Sequence, residues 1–149
     1  MKTDDLIQEI RSYCIANADV ERLQKSQRFF KEEFVGYGLT APQLYAKVKE
    51  IQKNGSSNLP EILEAIPSLM KGGMYEEISI GLLLLDLQWK QFTPDTFQVI
   101  ADWFSFSITN WAHADTMAMF TLPKFLDKKI IRMEDFKPWL NSPYKFQRR

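Results

Sequence analysis

One cysteine and one histidine stand in 149 residues. A single cysteine excludes an internal disulfide, and Cys14 with His113 cannot assemble a zinc-ligand set. The pair also gives no basis for Cys/His nucleophilic chemistry. Cys14 falls inside the periodic stretch "LIQEIRSYCIA", where it reads as a small buried hydrophobe. Long apolar runs are missing too. The longest, "ISIGLLLLDLQW", is interrupted by Asp86 and is too short to span a bilayer, and no basic-then-apolar leader opens the chain. The expectation is a cytoplasmic protein without membrane segments, metal or cofactor.

Net charge is absent as well, with nineteen basic and nineteen acidic residues, so the average charge points to no nucleic-acid, membrane or acidic partner. The distribution is polarised. Residues 1–123 carry eleven Lys or Arg against sixteen Asp or Glu, and residues 124–149 carry eight against three. What the chain does have is apolar content, 45% with 13% aromatic, enough at this length for one domain with a real core.

Strict alternation of apolar and polar residues occurs nowhere, and almost every segment between Pro or Gly reads with helical period. The chain is all-α. A first helix is expected over about Thr3 to Ala16, with Leu6, Ile10, Tyr13 and Cys14 on one face. A second runs from about Val20 to Phe34 into the turn "VGYGLTAP". Thr40, with Pro42 tolerated in the first turn, starts a third that carries Leu44, Val48 and Ile51. "NGSSN" at 54–58 is a loop, and "LPEILEAIPSLMKGG" is a short helix stopped by its glycines. The helix from about Tyr75 to Lys90 is apolar nearly all round and should be buried on several sides. Thr93 and Pro94 repeat the cap-plus-proline start, with a break near Ser107. Two more helices follow, about Asn110 to Leu126 and "MEDFKPWLNSP". Short loops between helices of this length suggest stacked antiparallel helix pairs, a HEAT-like array forming one domain over 1–149, although the internal repeats are degenerate.

"TNWAHADTMAMF" at 109–120 holds the main chemical question. With Asn110 as N-cap, Trp111 and Asp115 are four apart and share a helix face with Ala118 and Leu122. A carboxylate on that stripe must be hydrogen-bonded, paired with a cation, or open to a cleft. Structural and catalytic readings of Asp115 both satisfy this. The ending "SPYKFQRR" places Arg148 and Arg149 at the start of another helix, from which they could reach the Trp111 and Asp115 face. His113 points elsewhere. Lys124, Lys128, Lys129 and Arg132 form a basic cluster that suits either a helix C-terminus or phosphate. Tyr37 and Trp103 are candidates for core or for a groove wall, and Met117 and Met119 for packing.

Through "FVGYGLTAP", "YEEISIGLLLLD", "NWAHADTMA" and the terminal aromatic-x-Arg-Arg, the chain resembles the DNA alkylation repair family, the HEAT-like-repeat alkylpurine DNA glycosylases. The resemblance implies a concave helical groove that binds duplex DNA, and hydrolysis of the N-glycosidic bond of N3- or N7-alkylated purines by a monomer needing no cofactor. It places the family's tryptophan on Trp111 and its catalytic aspartate on Asp115. The DNA-contacting arginine falls on Arg149 if Phe146 replaces the family's usual tryptophan, or on Arg148 with the register shifted by one. Lys124 and Lys128 are expected as further DNA contacts. Members of the family continue through more helix pairs, so the chain is expected to be the N-terminal part of a longer member. The competing reading is a non-catalytic helical-repeat module that holds DNA or protein.

Overall fold

The computed structural model describes residues 2–30, 34–55 and 57–149. All regular structure among them is helical: α1 Thr3–Ala16, α2 Val20–Gln27, α3 Ala41–Lys53, α4 Leu59–Gly72, α5 Tyr75–Leu87, α6 Pro94–Phe106, α7 Trp111–Thr116, α8 Leu122–Asp127 and α9 Lys145–Arg148. A π-helical turn, Met117–Thr121, joins α7 to α8, and 3-10 segments cover Trp89–Gln91 and Met133–Asn141. None of these helices is long and apolar enough to cross a membrane. The chain divides into two compact units, Met1–Leu85 and Asp86–Arg149.

Helix starts follow the side chains that can hold their free amides. Thr40, Asn58 and Thr93 each accept from the backbone three residues on, and the residue there bonds back to the cap; each helix also has Pro in its first turn. In the first unit α1 packs against α4, and Leu6, Ile10, Cys14, Val48, Ile51, Ile66 and Leu69 are buried. Burial pushes the Cys14 thiol up to about 12, with Glu77 and Glu76 adding to the effect, so the thiol is inert at neutral pH. Lys47 is also buried, its ammonium between Glu9 at 2.8 Å and Glu50 at 3.0 Å.

Two neighbouring acids at the start of α5 fix the turn that follows α2. Glu76, 1% exposed, accepts from the amides of Tyr37 at 2.8 Å and Gly38 at 2.9 Å. Glu77, fully buried, accepts from Arg11 at 3.2 Å and from the Tyr37 hydroxyl at 2.7 Å. Gly38 has φ +87°, and a Cβ there would lie 2.1 Å from the Asp19 carbonyl oxygen, so both conformation and space require glycine.

Three expectations are corrected. Helix α2 ends at Gln27 and not near Phe34: the Gln27 side chain donates to the Phe34 carbonyl, and Phe34 with Phe30 joins Tyr75 in an aromatic cluster, anchoring that outranks weak helix propensity. Residues 31–33 of the expected helix, and Ser56 of the expected loop, lie outside the described residues. The "MEDFKPWLN" stretch is 3-10, because Pro138 inside it removes an amide donor and crowds the preceding turn. Met119, expected in the packing, is 67% exposed.

The core of the second unit is aromatic. Phe125, fully buried, stacks on Phe92 at 4.5 Å and receives the edge of Phe97 at 5.5 Å. Trp139 lies against Phe97, Phe104 and Phe136, which pins the 3-10 segment to α6. Trp103 is part of this core.

Removing Glu76 strands two inward-facing amides, whereas removing the Thr40 hydroxyl loses one cap. Glu76→Ala is expected to lower unfolding free energy by about 3 kcal/mol and Thr40→Ala by about 1 kcal/mol, measured as shifts of the urea midpoint at constant slope.

Candidate active site

Asn110 is the N-cap of α7, its side chain accepting from the Ala112 amide at 2.8 Å, which sets Trp111 in the first turn. One turn on, Asp115 does not lie on the buried stripe. That stripe is His113, Ala114, Met117, Thr121, Leu122 and Phe125, while Trp111 and Asp115 are half-buried beside it and Ala118 is exposed. A π-helical turn interrupts the α-helical register after Thr116. The Leu122 amide bonds back to the Met117 carbonyl, and the widened turn admits Pro123, whose ring would clash with the carbonyl four residues earlier in an α-helix. Leu122, just beyond the turn, is buried as its place on an apolar stripe predicts, while Ala118, within the turn, is exposed.

The Asp115 carboxylate is paired. Arg149 Nε donates to Oδ1 at 2.6 Å and Nη2 donates to Oδ2 at 3.0 Å, a two-point bond between planar groups. The same guanidinium lies 5.8 Å from the centre of the Trp111 ring. Arg149's side chain is 50% exposed and Asp115's 32%, so the pair is open to water. The hydrogen bond from Arg149 holds the Asp115 carboxyl below the ordinary range; partial burial opposes this and the guanidinium charge adds to it. Trp111, Asp115 and a terminal arginine therefore converge, and that arginine is Arg149. Arg148 turns away and donates to the Ser142 carbonyl at 2.6 Å.

Beside the pair is an apolar hollow of about 280 Å³, lined by Ala118, Leu122, Leu126, Trp139, Phe146 and Arg149 among others. Trp111 and Asp115 are not in its lining. Phe146 occupies the aromatic position of the terminal motif and faces this hollow.

Lys124 and Lys128 have protein partners. Lys124 Nζ pairs with Asp86 at 2.5 Å, and Thr121 Oγ1 also approaches that carboxylate. Lys128 Nζ donates to the carbonyls of Trp89, Lys90 and Phe92 at 3.3, 2.8 and 3.1 Å, where the first 3-10 segment ends. Contact with phosphate would require these bonds to be given up. The signal for the Lys124 pair was in the sequence: Asp86 is the only charge in its apolar run and needed a cation.

Tyr37 is partly buried, its phenol pushed up first by burial and then by Glu77. His113 is 4% exposed and lies in the core. Among the described residues there is no group of three or more His, Cys, Asp or Glu that could hold a metal.

Comparison with curated proteins and with solved structures gives no match. A family model described as "DNA alkylation repair enzyme" matches residues 10–149, a span that includes Trp111, Asp115 and Arg149. Nearly the whole chain is covered, and on that ground it belongs to the DNA alkylation repair enzyme family.

Proposed function

We propose that the protein is a DNA glycosylase that releases cationic N3- or N7-alkylated purines from duplex DNA. The observation that carries this reading is the solvent-open Asp115–Arg149 pair against Trp111. An alkylated purine is already positively charged, so when the C1′–N bond breaks the electron pair leaves with a neutral base and little acid catalysis is needed. Positive charge then develops on the sugar. Asp115, kept ionised by its neighbour, stabilises that charge electrostatically, and the electron-rich face of Trp111 assists. Water adds to C1′ and its proton is lost to Asp115 or to solvent. Arg149 is the phosphate ligand. Its planar fork suits a phosphodiester as well as a carboxylate, so bound DNA shares or takes the guanidinium that Asp115 holds in the free protein. Lys124 and Lys128 are secondary contacts in this reading, since both have partners within the fold.

Occupation of both Asp115 oxygens by Arg149 favours a second reading, a module that binds DNA without cutting the glycosidic bond. The two part at one substitution. Asp115→Asn is expected to reduce release of methylated purines from treated duplex by roughly 10²- to 10³-fold while duplex affinity changes little. Affinity without any base release by the unaltered protein would establish the module. Affinity for DNA should in either case fall steeply with salt.

The sign of the pH dependence follows from the pair. Because Arg149 lowers the Asp115 carboxyl, the working ionised form persists through neutral pH and is lost only as pH falls below the ordinary carboxylate range. In Arg149→Ala the acid limb of the rate profile, corrected for spontaneous depurination, should move upward toward that range.

A further inference from the structure

Arg149 follows a helix of four residues, Lys145–Arg148, too short to hold its own orientation. Its α-type bonds are those from the Arg148 amide to the Tyr144 carbonyl and from the Arg149 amide to the Lys145 carbonyl. Something outside this turn must decide where the Arg149 side chain departs. The surroundings supply one polar centre, Ser142, 8% exposed, in extended backbone just before the turn. Its hydroxyl donates to the Gln147 side-chain oxygen at 2.5 Å and accepts from the Tyr144 amide at 3.1 Å. Its carbonyl accepts from Arg148 Nη1 at 2.6 Å. Its own amide donates to the Trp139 carbonyl at 3.2 Å, which connects the cluster to the aromatic-pinned 3-10 segment.

We propose that Ser142, Gln147 and Arg148 form a positioning clasp that aims Arg149 at Asp115 and Trp111. The proposal rests on the glycosylase reading for its purpose, not for its geometry. None of the three touches Asp115, so each acts through Arg149. Their bonds fix both residues that precede Arg149 in the chain: Gln147 through the serine hydroxyl, Arg148 through the serine carbonyl. With two successive side chains tied to one buried anchor, the short helix cannot rotate about its axis. Arg148 therefore serves as a brace, which explains why only the second of two adjacent arginines faces the acid.

The test reads the aim of Arg149 directly. The Asp115 carboxyl is titrated by carbon-13 NMR in the 149-residue chain, with Arg149→Ala as reference for loss of the pair. Ser142→Ala and Gln147→Met are expected to move the titration upward, in the direction of Arg149→Ala, while the amide spectrum stays dispersed. Ser142→Thr keeps the hydroxyl in backbone that suits a β-branched residue and is expected to titrate as the unaltered protein. A purely structural serine would change unfolding without moving this carboxyl. Titration unchanged in both Ser142→Ala and Gln147→Met, or unchanged even in Arg149→Ala, overturns the clasp. In base-release assays the two clasp variants should lose about 10- to 100-fold in kcat/KM, with KM for duplex raised because the phosphate ligand is misaimed. Failure of the unaltered chain to release base would count against the glycosylase reading alone, with the carboxyl titration still deciding the clasp.

Discussion

A carboxylate drawn out of water must find donors, because leaving it unpaired costs several kcal/mol. Among the described residues, four such acids, Glu76, Glu77, Asp86 and Asp115, each bind a segment far away in sequence, as Glu9 does with Lys47. Glu76 gathers the amides of the turn at 37–38, and Glu77 gathers Arg11 and the Tyr37 hydroxyl. Asp86 takes Lys124, and Asp115 takes Arg149. In the first two the acid is sealed and the result is fixed structure. The last is the most open of the four, with side chains 32% and 50% exposed, so another anion can compete for the guanidinium.

The glycosylase proposal draws on that openness at Asp115. A sealed ion pair holds its members where they are, whereas a half-exposed pair keeps the acid ionised and leaves both members reachable. Trp111 adds a flat electron-rich surface under the same guanidinium. In the glycosylase reading proposed above, such a site serves a reaction whose leaving group is already activated by its charge, with electrostatic stabilisation from the acid and a phosphate grip from the arginine. The lone histidine is spent in the core.

Helix starts were legible where a cap and a proline coincide, at Thr40 and Thr93, because the reciprocal hydrogen bonds are made between residues three apart; Asn58, read only as the end of a loop, caps its helix in the same way. The pairing of Trp111 with Asp115 was legible from their spacing of four, which lies ahead of the π-helical turn. The same arithmetic put Leu122 on an apolar stripe, where it is buried, and failed for Ala118, which lies within that turn and is exposed. The tail end of α2 was not legible, since Phe30 and Phe34 leave the helical pattern to meet Tyr75, a partner more than forty residues on. Pro138 and Pro123 were visible, yet their consequences differ: one converts a segment to 3-10 geometry and the other is absorbed by a wider turn.

The sequence by itself determined an all-helical chain, the position of most helix boundaries, the exclusion of an internal disulfide, and the acid and indole that share a face. These are matters of local bonding and period. The tertiary structure decided which basic side chain answers each acid, since ion-pair partners are found through space at separations of 34 residues for Arg149 and Asp115. It assigned Arg149 to the acid and Arg148 to the Ser142 carbonyl, and gave Lys124 and Lys128 to partners inside the fold. Charge alone could not separate these cations, because each carries the same unit of it; only where its stem leaves the backbone determines what the charge can reach.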